Sequence, residues 1–157
     1  MNILVTGAKG MVGTALVNNL KNIRDGKNRT RNIKIDEIYE FDLNNTEAEL
    51  DEYCSKADFV FNLAGVNRPE NQEDFMKGNF GFASQLLDTL KKHYNKAGIM
   101  LSSSVQATLA GRFGTSEYGK SKKAGEELFF EYGKETGAPV YVYRFVNLMG
   151  HSRPKYN

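Results

Sequence analysis

The sequence contains a single cysteine, Cys54, so the chain cannot form an internal disulfide bond. Such cysteine use suits a reducing compartment. Cys54 falls on one apolar helix face with Leu50 and Ala57, and we interpret it as a core residue. The first predicted strand begins at residue 2, which leaves no room for a signal peptide. We therefore expect a cytoplasmic protein.

Long apolar runs and a strong charge imbalance are also missing. No apolar run approaches the roughly 18 residues that a membrane helix needs, so no membrane partner is expected. The formal net charge is +2, which gives no reason to expect a nucleic-acid partner. The two histidines, His93 and His151, are far apart and form no metal-ligand pattern with one cysteine, so no metal is expected. The 157 residues, 40% of them apolar, suit one domain with a sizeable core.

A glycine-rich turn follows the first predicted strand. Residues 2–6 form a short apolar run with β-branched members, which predicts a buried strand. Gly7 permits a tight turn, Gly10 lets a pyrophosphate approach the backbone, and Gly13 lets the next helix pack closely. That helix has a 3.6-residue apolar period, and its N-terminal N–H groups can face phosphates. We predict cofactor contacts along this turn at Gly7, Lys9, Gly10, Met11, Val12 and Gly13; an ordinary βα turn is the alternative.

A second set of residues carries acid–base chemistry. An apolar run at 99–101 ends in three serines, which predicts a strand whose carboxyl end reaches the ligand edge of a sheet. Tyr118 and Lys122 are one helical turn apart and share a face. A tyrosine phenol titrates near ~10, and a nearby ammonium favours the phenolate, so this pair can exchange a proton. We predict Ser104, Tyr118 and Lys122 as catalytic residues; a surface tyrosine with a solvated lysine is the alternative.

The rest of the chain alternates between strand and helix patterns. We predict strands at 2–6, 37–41, 58–63, 99–104 and 140–145, and helices at 11–23, 79–94 and 118–135. Thr46 and Glu49 form a capping-box pattern at the start of another helix. Alternation with right-handed crossovers predicts an α/β, Rossmann-like, doubly wound parallel sheet of about five strands in the order 2-1-3-4-5.

These motifs together resemble the extended short-chain dehydrogenase/reductase superfamily, in its nucleotide-sugar epimerase/dehydratase branch. The resemblance rests on TGAKGMVG at 6–13, NLAG at 62–65, the serines at 102–104, YGKSK at 118–122 and RFVNLMG at 144–150. Asn79 and Gly81 look like the family's N-x-x-G helix start with one residue fewer between them. LAGVNRPE, LSSSVQAT and the RPKYN ending are similar to one group of capsular-polysaccharide enzymes on the UDP-N-acetyl-L-fucosamine route.

That resemblance implies a function and a domain organisation. Residues 1–157 would be the NAD(P)-binding Rossmann domain of a longer protein, truncated before its substrate-binding part and lacking the group's C-terminal cupin. The implied activity is NADPH-dependent reduction of a UDP-4-keto-6-deoxy-hexosamine for capsular or surface polysaccharide synthesis. The UDP-sugar would be the small-molecule partner. Further cofactor contacts are expected at Leu63, Ala64, Gly65 and Ser102, and substrate contacts at Arg68, Ser103, Gln106 and Asn147.

The choice of cofactor depends on residues near the second strand. Asp42, at its end, could bind the adenosine ribose hydroxyls, which would favour NAD. Leu43 resembles the family residue that touches adenine. A basic run could instead pair with a 2′-phosphate, although a solvated loop is its alternative: Arg24, Lys27, Arg29, Arg31 and Lys34. The resemblance favours NADP(H), with NAD as the alternative.

Two other functions and a homodimer are compatible with the same motifs. An epimerase or dehydratase is one alternative, but Val105 and Gln106 occupy positions where a 4,6-dehydratase of this branch carries acids. A non-catalytic dinucleotide-binding module is the other. The resemblance also implies a homodimer formed through helices 79–94 and 118–135, unless the apolar residues there cover the sheet: Phe82, Leu86, Leu90, Phe129 and Phe130.

Overall fold

A computed structural model describes residues 1–65, 71, 73–146 and 148. Within these residues, five parallel strands form one sheet in the order β2-β1-β3-β4-β5. The strands are β1 (Asn2–Thr6), β2 (Glu37–Phe41), β3 (Phe59–Asn62), β4 (Gly98–Ser104) and β5 (Val140–Phe145). The predicted strand order is confirmed, and the predicted strand positions agree with the structure to within one residue at each end. Because the strands are parallel, their carboxyl ends lie together at one edge of the sheet.

Two of the four long helices begin with a side-chain cap. They are α1 (Met11–Arg24), α2 (Glu47–Lys56), α4 (Phe82–Lys92) and α5 (Glu117–Thr136). The predicted capping box is confirmed, since Thr46 accepts from the Glu49 N–H and the Glu49 side chain accepts from the Thr46 N–H. Ser116 caps the start of α5, and Gly137 ends it at φ +78°, a conformation that glycine adopts without strain.

The helix before β4 begins earlier than the predicted start at residue 79 and contains a π-helical segment. A short helix α3 (Glu73–Phe75) continues into the π-helical segment Met76–Gly81 and then into α4. A π-helical turn widens the helix by one residue, and such turns occur often at functional sites. This one carries the buried side chain of Asn79 towards α5.

Two apolar clusters cover the two faces of the sheet. On one face α2, α4 and α5 pack over Leu4, Val60 and Ile99. On the other, α1 packs over Ile3 and Val5. Cys54 is fully buried in the first cluster, which confirms its interpretation as a core residue.

The apolar residues that we expected at a dimer interface lie mostly inside this core. Leu86, Leu90 and Phe129 are 0% exposed, so they cover the sheet and cannot contact a second copy. Phe82 stacks on Phe41 within the same cluster. Of the five residues, Phe130 is the one on the surface, at 49% exposure. Helical periodicity identified the apolar face correctly, but that face packs against the sheet of its own chain.

Candidate active site at the carboxyl edge of the sheet

The turn from β1 to α1 packs directly against the end of β3. Gly7 has φ +68°, and a Cβ there would lie 2.7 Å from the Ala64 backbone nitrogen. A Cβ at Gly13 would lie 2.0 Å from the Gly7 carbonyl oxygen, so the first turn of α1 touches the chain that precedes it. Both positions therefore require glycine. The close packing places the glycine turn after β1 beside Leu63 and Ala64, the predicted cofactor contacts that follow β3.

The N-terminus of α1 is open towards this edge of the sheet. No side chain caps Gly10, and the first turn of α1 contains no acidic residue. Lys9 and Gly10 are exposed, and Met11 and Val12 are partly so. A helix N-terminus presents free N–H groups and the positive end of its dipole, which is the arrangement that binds phosphate. The turn therefore fits the diphosphate of a dinucleotide.

A buried polar contact positions the end of β3 beside this turn. Thr6 Oγ1 donates a 2.5 Å hydrogen bond to Asn62 Oδ1, and both side chains are buried. The Thr6 hydroxyl also accepts from the Ala64 N–H at 3.4 Å. These bonds bring Leu63, Ala64 and Gly65 to the glycine turn, as the predicted cofactor contacts require.

Asp42 braces the glycine turn from the end of β2. Its Oδ2 accepts from the Lys9 N–H at 2.8 Å, and its Oδ1 accepts from the Leu43 N–H at 2.8 Å. The carboxylate therefore already serves two backbone donors, a role that the sequence did not reveal. Leu43 is 98% exposed beside it and is free to cover a flat ligand.

The predicted catalytic residues come together where β4 meets the start of α5. The Ser104 hydroxyl accepts from the Gln106 N–H at 3.2 Å, and it acts to lower the pKa of the Tyr118 phenol. Ser116 Oγ donates to Gln106 Oε1 at 2.8 Å, so Gln106 holds the N-terminus of α5. A Cβ at Gly119 would lie 2.3 Å from the Gln106 carbonyl oxygen, which shows how closely the two segments pack.

Lys122 connects the ends of β3 and β4. Its side chain is 7% exposed, and its Nζ donates to the Ser102 carbonyl oxygen at 3.2 Å. A Cβ at Gly65 would lie 3.1 Å from that Nζ and 2.8 Å from Asn79 Oδ1, so the ammonium occupies space that only glycine leaves. Burial lowers the pKa of Lys122 to about 8, and the carboxylate of Glu126 opposes this shift.

The titration of Tyr118 differs from the expectation drawn from sequence. We expected the ammonium of Lys122 to lower the tyrosine pKa. In the structure, burial raises the pKa of Tyr118, and the Ser104 hydroxyl opposes this only in part. The Lys122 Nζ lies over the face of the Tyr118 ring, 5.5 Å from its centre. The phenol is therefore held in its protonated form, which is the form of a proton donor.

Ser103 has a different environment from Ser104. The two side chains point to opposite faces of β4 by strand alternation. Ser103 is 4% exposed, and its hydroxyl lies beside Glu126 without a hydrogen bond of regular geometry to any described residue. Ser104 is therefore the better placed of the two to act with Tyr118.

Two polar residues at this site were not among the predicted site residues. The Asn79 amide donates to Ser121 Oγ at 3.0 Å, and its oxygen faces Gly65. The N-x-x-G-like pattern was the sequence signal that could have identified it. Glu126 is 3% exposed and accepts two hydrogen bonds from Arg144, at 2.8 Å each. No local motif pointed to Glu126, because its partner lies on another element.

Some predicted residues lie outside the described part of the chain. These are Arg68 and Asn147, together with His151 and the RPKYN ending. Among residues 1–65, 71, 73–146 and 148, no group of three or more histidine, cysteine or acidic side chains could hold a metal ion. Over the same residues, no helix has the length and apolar character needed to cross a membrane.

A parallel sheet with a glycine turn after β1, and with serine, tyrosine and lysine at the junction of β4 and α5, defines a Rossmann-type dinucleotide-binding domain. Residues 3–157 match the NAD dependent epimerase/dehydratase family, and the chain belongs to that family.

Two larger proteins are similar to this chain over its whole length. A UDP-2-acetamido-2,6-beta-L-arabino-hexul-4-ose reductase from Pseudomonas aeruginosa is 37% identical over 158 aligned positions, which cover 100% of this chain and 38% of the reductase. The crystal structure of the capsular polysaccharide assembling protein CapF from Staphylococcus aureus matches with a TM-score of 0.76 and 42% identity, over 100% of this chain and 39% of that one. The chain thus spans less than half of either protein.

A more distant structure shares the fold. The UDP-N-acetylglucosamine 4-epimerase from Bacillus cereus matches with a TM-score of 0.75 at 22% identity, covering 99% of this chain and 59% of the epimerase. At that identity the likeness concerns the fold alone.

Proposed function

We propose that the protein containing this chain is an NADPH-dependent reductase of a UDP-4-keto-6-deoxy-hexosamine, acting in the synthesis of capsular or surface polysaccharide precursors. The observation that carries the proposal is the group formed by Ser104, Tyr118 and Lys122 beside the glycine turn. The similarity to the Pseudomonas aeruginosa reductase over the whole chain supports the same reaction class. The chain covers 38% of that relative, and in the proposed enzyme part of the substrate site lies outside residues 1–157.

Each residue of the group has a role in reducing a carbonyl. NADPH, when bound, supplies the hydride. Ser104 donates a hydrogen bond to the carbonyl oxygen and holds it near the phenol. Tyr118 donates its proton to that oxygen as negative charge develops there, and burial keeps the phenol protonated until then. Lys122 holds a ribose hydroxyl of the cofactor and stabilises the phenolate that remains.

NADP(H) is the proposed cofactor, with NAD as the alternative. Both Asp42 carboxylate oxygens already accept backbone N–H groups, which weakens the argument that this residue selects NAD through the ribose hydroxyls. Arg31 and Lys34 are exposed in the basic run and could meet a 2′-phosphate. Arg68, Ser103, Gln106 and Asn147 remain predicted substrate contacts, and Gly7, Lys9, Ser102 and the other predicted cofactor contacts are retained.

An epimerase is the main competing function, since the family includes enzymes of that kind. The test is to mix the full-length protein, NADPH and a UDP-4-keto-6-deoxy-hexosamine, and to follow NADPH absorbance and sugar products together. Consumption of one NADPH per 4-hydroxy sugar formed supports the reductase. Sugar conversion without net NADPH consumption would instead indicate an epimerase. Tight NADPH binding without any conversion would indicate a non-catalytic module.

We also propose a cytoplasmic homodimer. The proposed substrate class and the single buried cysteine support a cytoplasmic location. A dimer through α4 and α5 would use Phe130, because the other apolar residues expected there are buried or stacked in the core. Phe130→Lys should convert a dimer into a monomer in sedimentation experiments. A wild-type protein that sediments as a monomer at high concentration would contradict the proposal.

A further inference from the structure

Two buried side chains of opposite charge lie one turn apart on α5. Lys122 is 7% exposed and Glu126 is 3% exposed. Residues four apart on a helix share a face, so the carboxylate lies next to the site without belonging to its predicted catalytic set. An unpaired charge at such burial is costly, so both groups require partners.

Arg144 holds the Glu126 carboxylate in one orientation. Its Nε donates to Oε1 and its Nη2 donates to Oε2, each at 2.8 Å. This two-pronged geometry fixes both the distance and the plane of a carboxylate. Arg144 pairs with Ser103 in the register between β4 and β5. The pair formed by Arg144 and Glu126 is therefore held next to β4. The same strand supplies the Ser102 carbonyl oxygen that accepts from Lys122.

The pKa of Glu126 reflects this environment. Burial alone would raise it, but hydrogen bonds from Arg144, the nearby Ser103 hydroxyl, and the charges of Arg144 and Lys122 together hold it below its ordinary value. Glu126 is therefore ionised at neutral pH. Its negative charge acts on Lys122 against the effect of burial.

The other charged groups on α5 and on the helical segments before α4 are more exposed to solvent than Glu126. They are exposed or partly exposed: Glu117, Lys120, Lys123, Glu127, Glu131, Lys134 and Glu135 on α5, and Glu73, Asp74 and Lys77 on α3 and the π-helical segment. Of the charged side chains described, Glu126 is the one that supports the Lys122 ammonium.

We propose that Glu126, clamped by Arg144, is a positioning residue that keeps the Lys122 ammonium protonated and directed at the carboxyl ends of β3 and β4. The inference rests on the proposed function in one respect, namely that Lys122 binds the cofactor ribose and stabilises the Tyr118 phenolate. A purely structural ion pair would join α5 to β5 with no effect on Lys122. The two roles differ in the sign of a measurable shift.

The test is an NMR titration of the full chain with lysine labelled at Cε, in which Lys122→Met assigns the Lys122 signal. Glu126→Gln should lower the titration midpoint of Lys122 by about one unit, because an opposing charge is lost while burial is kept. If the pair were only structural, its loss would loosen α5, admit water and raise the midpoint towards the ordinary value near ~10.4. Glu135→Gln is the matched control, since it removes the α5 ion pair with Lys91, away from the site.

Conservative variants complete the test. Glu126→Asp keeps the charge and should restore a midpoint close to that of the wild type. An unchanged or raised midpoint in a folded Glu126→Gln protein overturns the proposal. If Glu126→Gln does not fold, the double variant Glu126→Gln, Arg144→Gln replaces it, because it leaves neither charge of the pair without its partner. The Lys122 midpoint should again fall, and an unchanged or raised midpoint overturns the proposal.

The titration needs no cofactor, so it separates this inference from the proposed function. Calorimetry with NADPH across pH adds the functional readout: Glu126→Gln should lose NADPH affinity at a lower pH than the wild type. If the Lys122 midpoint shifts as expected but neither protein binds NADPH, the proposed function fails and the relationship between Glu126 and Lys122 stands.

Discussion

The backbone N–H of Lys9 donates a 2.8 Å hydrogen bond to the Asp42 carboxylate, which joins the glycine turn after β1 to the end of β2. The same carboxylate accepts from the Leu43 N–H, and the Asp42 N–H donates to Asn45 Oδ1 at 2.8 Å. A single half-buried side chain thus connects two segments that a dinucleotide would span. The shape of the glycine turn depends on this contact as well as on its glycines.

Removal of the Asp42 carboxylate should loosen the glycine turn and leave the rest of the domain folded. Asp42→Ala should weaken NADPH binding about tenfold, as expected for one lost hydrogen bond to a charged group. Asp42→Asn keeps an acceptor oxygen for Lys9 and should lose less. Calorimetry with NADPH measures both variants, with circular dichroism as the check on folding. Equal affinities in Asp42→Ala and the wild type would show that the contact does not shape the cofactor site.

Substitutions at two glycines should separate cofactor binding from stability. A Cβ at Gly10 would meet only the Gly7 carbonyl oxygen, at 3.3 Å, and its φ of −71° suits any residue. Gly10→Val should therefore fold but lose NADPH binding, because its side chain fills the approach of the phosphates.

Gly13→Ala should instead damage the fold. Its Cβ would lie 2.0 Å from the Gly7 carbonyl oxygen, so the backbone must move. We expect a loss of about 1–3 kcal/mol in the free energy of unfolding, measured in urea. Retained NADPH affinity in Gly10→Val would refute the phosphate assignment, and an unchanged unfolding midpoint in Gly13→Ala would refute the packing argument.

Loss of the Tyr118 hydroxyl should affect turnover and spare cofactor binding. In the full-length protein, Tyr118→Phe should lower kcat on the order of 10²–10⁴-fold, the usual contribution of a general acid, with little change in NADPH affinity. Lys122→Met should lose both, because its ammonium serves the ribose and the phenol. Tyr132→Phe is the control on the same helix, since its hydroxyl donates to the Asn95 carbonyl oxygen inside the core. Full activity in Tyr118→Phe on a UDP-4-keto sugar would exclude the assigned role.

The buried lysine should make the stability of the domain depend on alkaline pH. The pKa of Lys122 is lowered from 10.5 to about 8 in the folded state, so between these values the unfolded chain binds more protons. The free energy of unfolding therefore rises as the pH increases through that window. Below about pH 8 the buried ammonium is charged in both states and destabilises the fold to its full extent.

The check is urea unfolding of wild type and Lys122→Met at several pH values. The difference in unfolding free energy between wild type and variant should shift in favour of the wild type as the pH rises from 8 to 10.5. Lys56→Met, which removes a half-exposed lysine paired with Glu52, serves as the control and should show no such trend in this window. A pH-independent difference for Lys122→Met would mean that Lys122 is not buried as an ammonium.

The amino-acid sequence by itself determined the local structure and much of the site. Apolar periodicity identified the strands and their alternation with helices, and right-handed crossovers then favoured one strand order. Tyr118 and Lys122 are one turn apart, so they share a helix face wherever that helix packs in the protein. The same holds for the capping box at Thr46. These features depend on neighbours within a few residues, which a sequence shows directly.

Tertiary structure alone decided what each face and each charge would meet. The apolar face of α4 and α5 could have paired with a second copy, but Leu86, Leu90 and Phe129 pack on the sheet of their own chain. The direction of the Tyr118 pKa depended on burial, and the partner of Glu126 is 18 residues away on β5. Desolvation and long-range pairing depend on strand register and on which elements pack together. The spacing of residues along one helix reveals neither desolvation nor long-range pairing. The sequence therefore identified the reactive groups, and the tertiary structure determined the direction in which their pKa values shift.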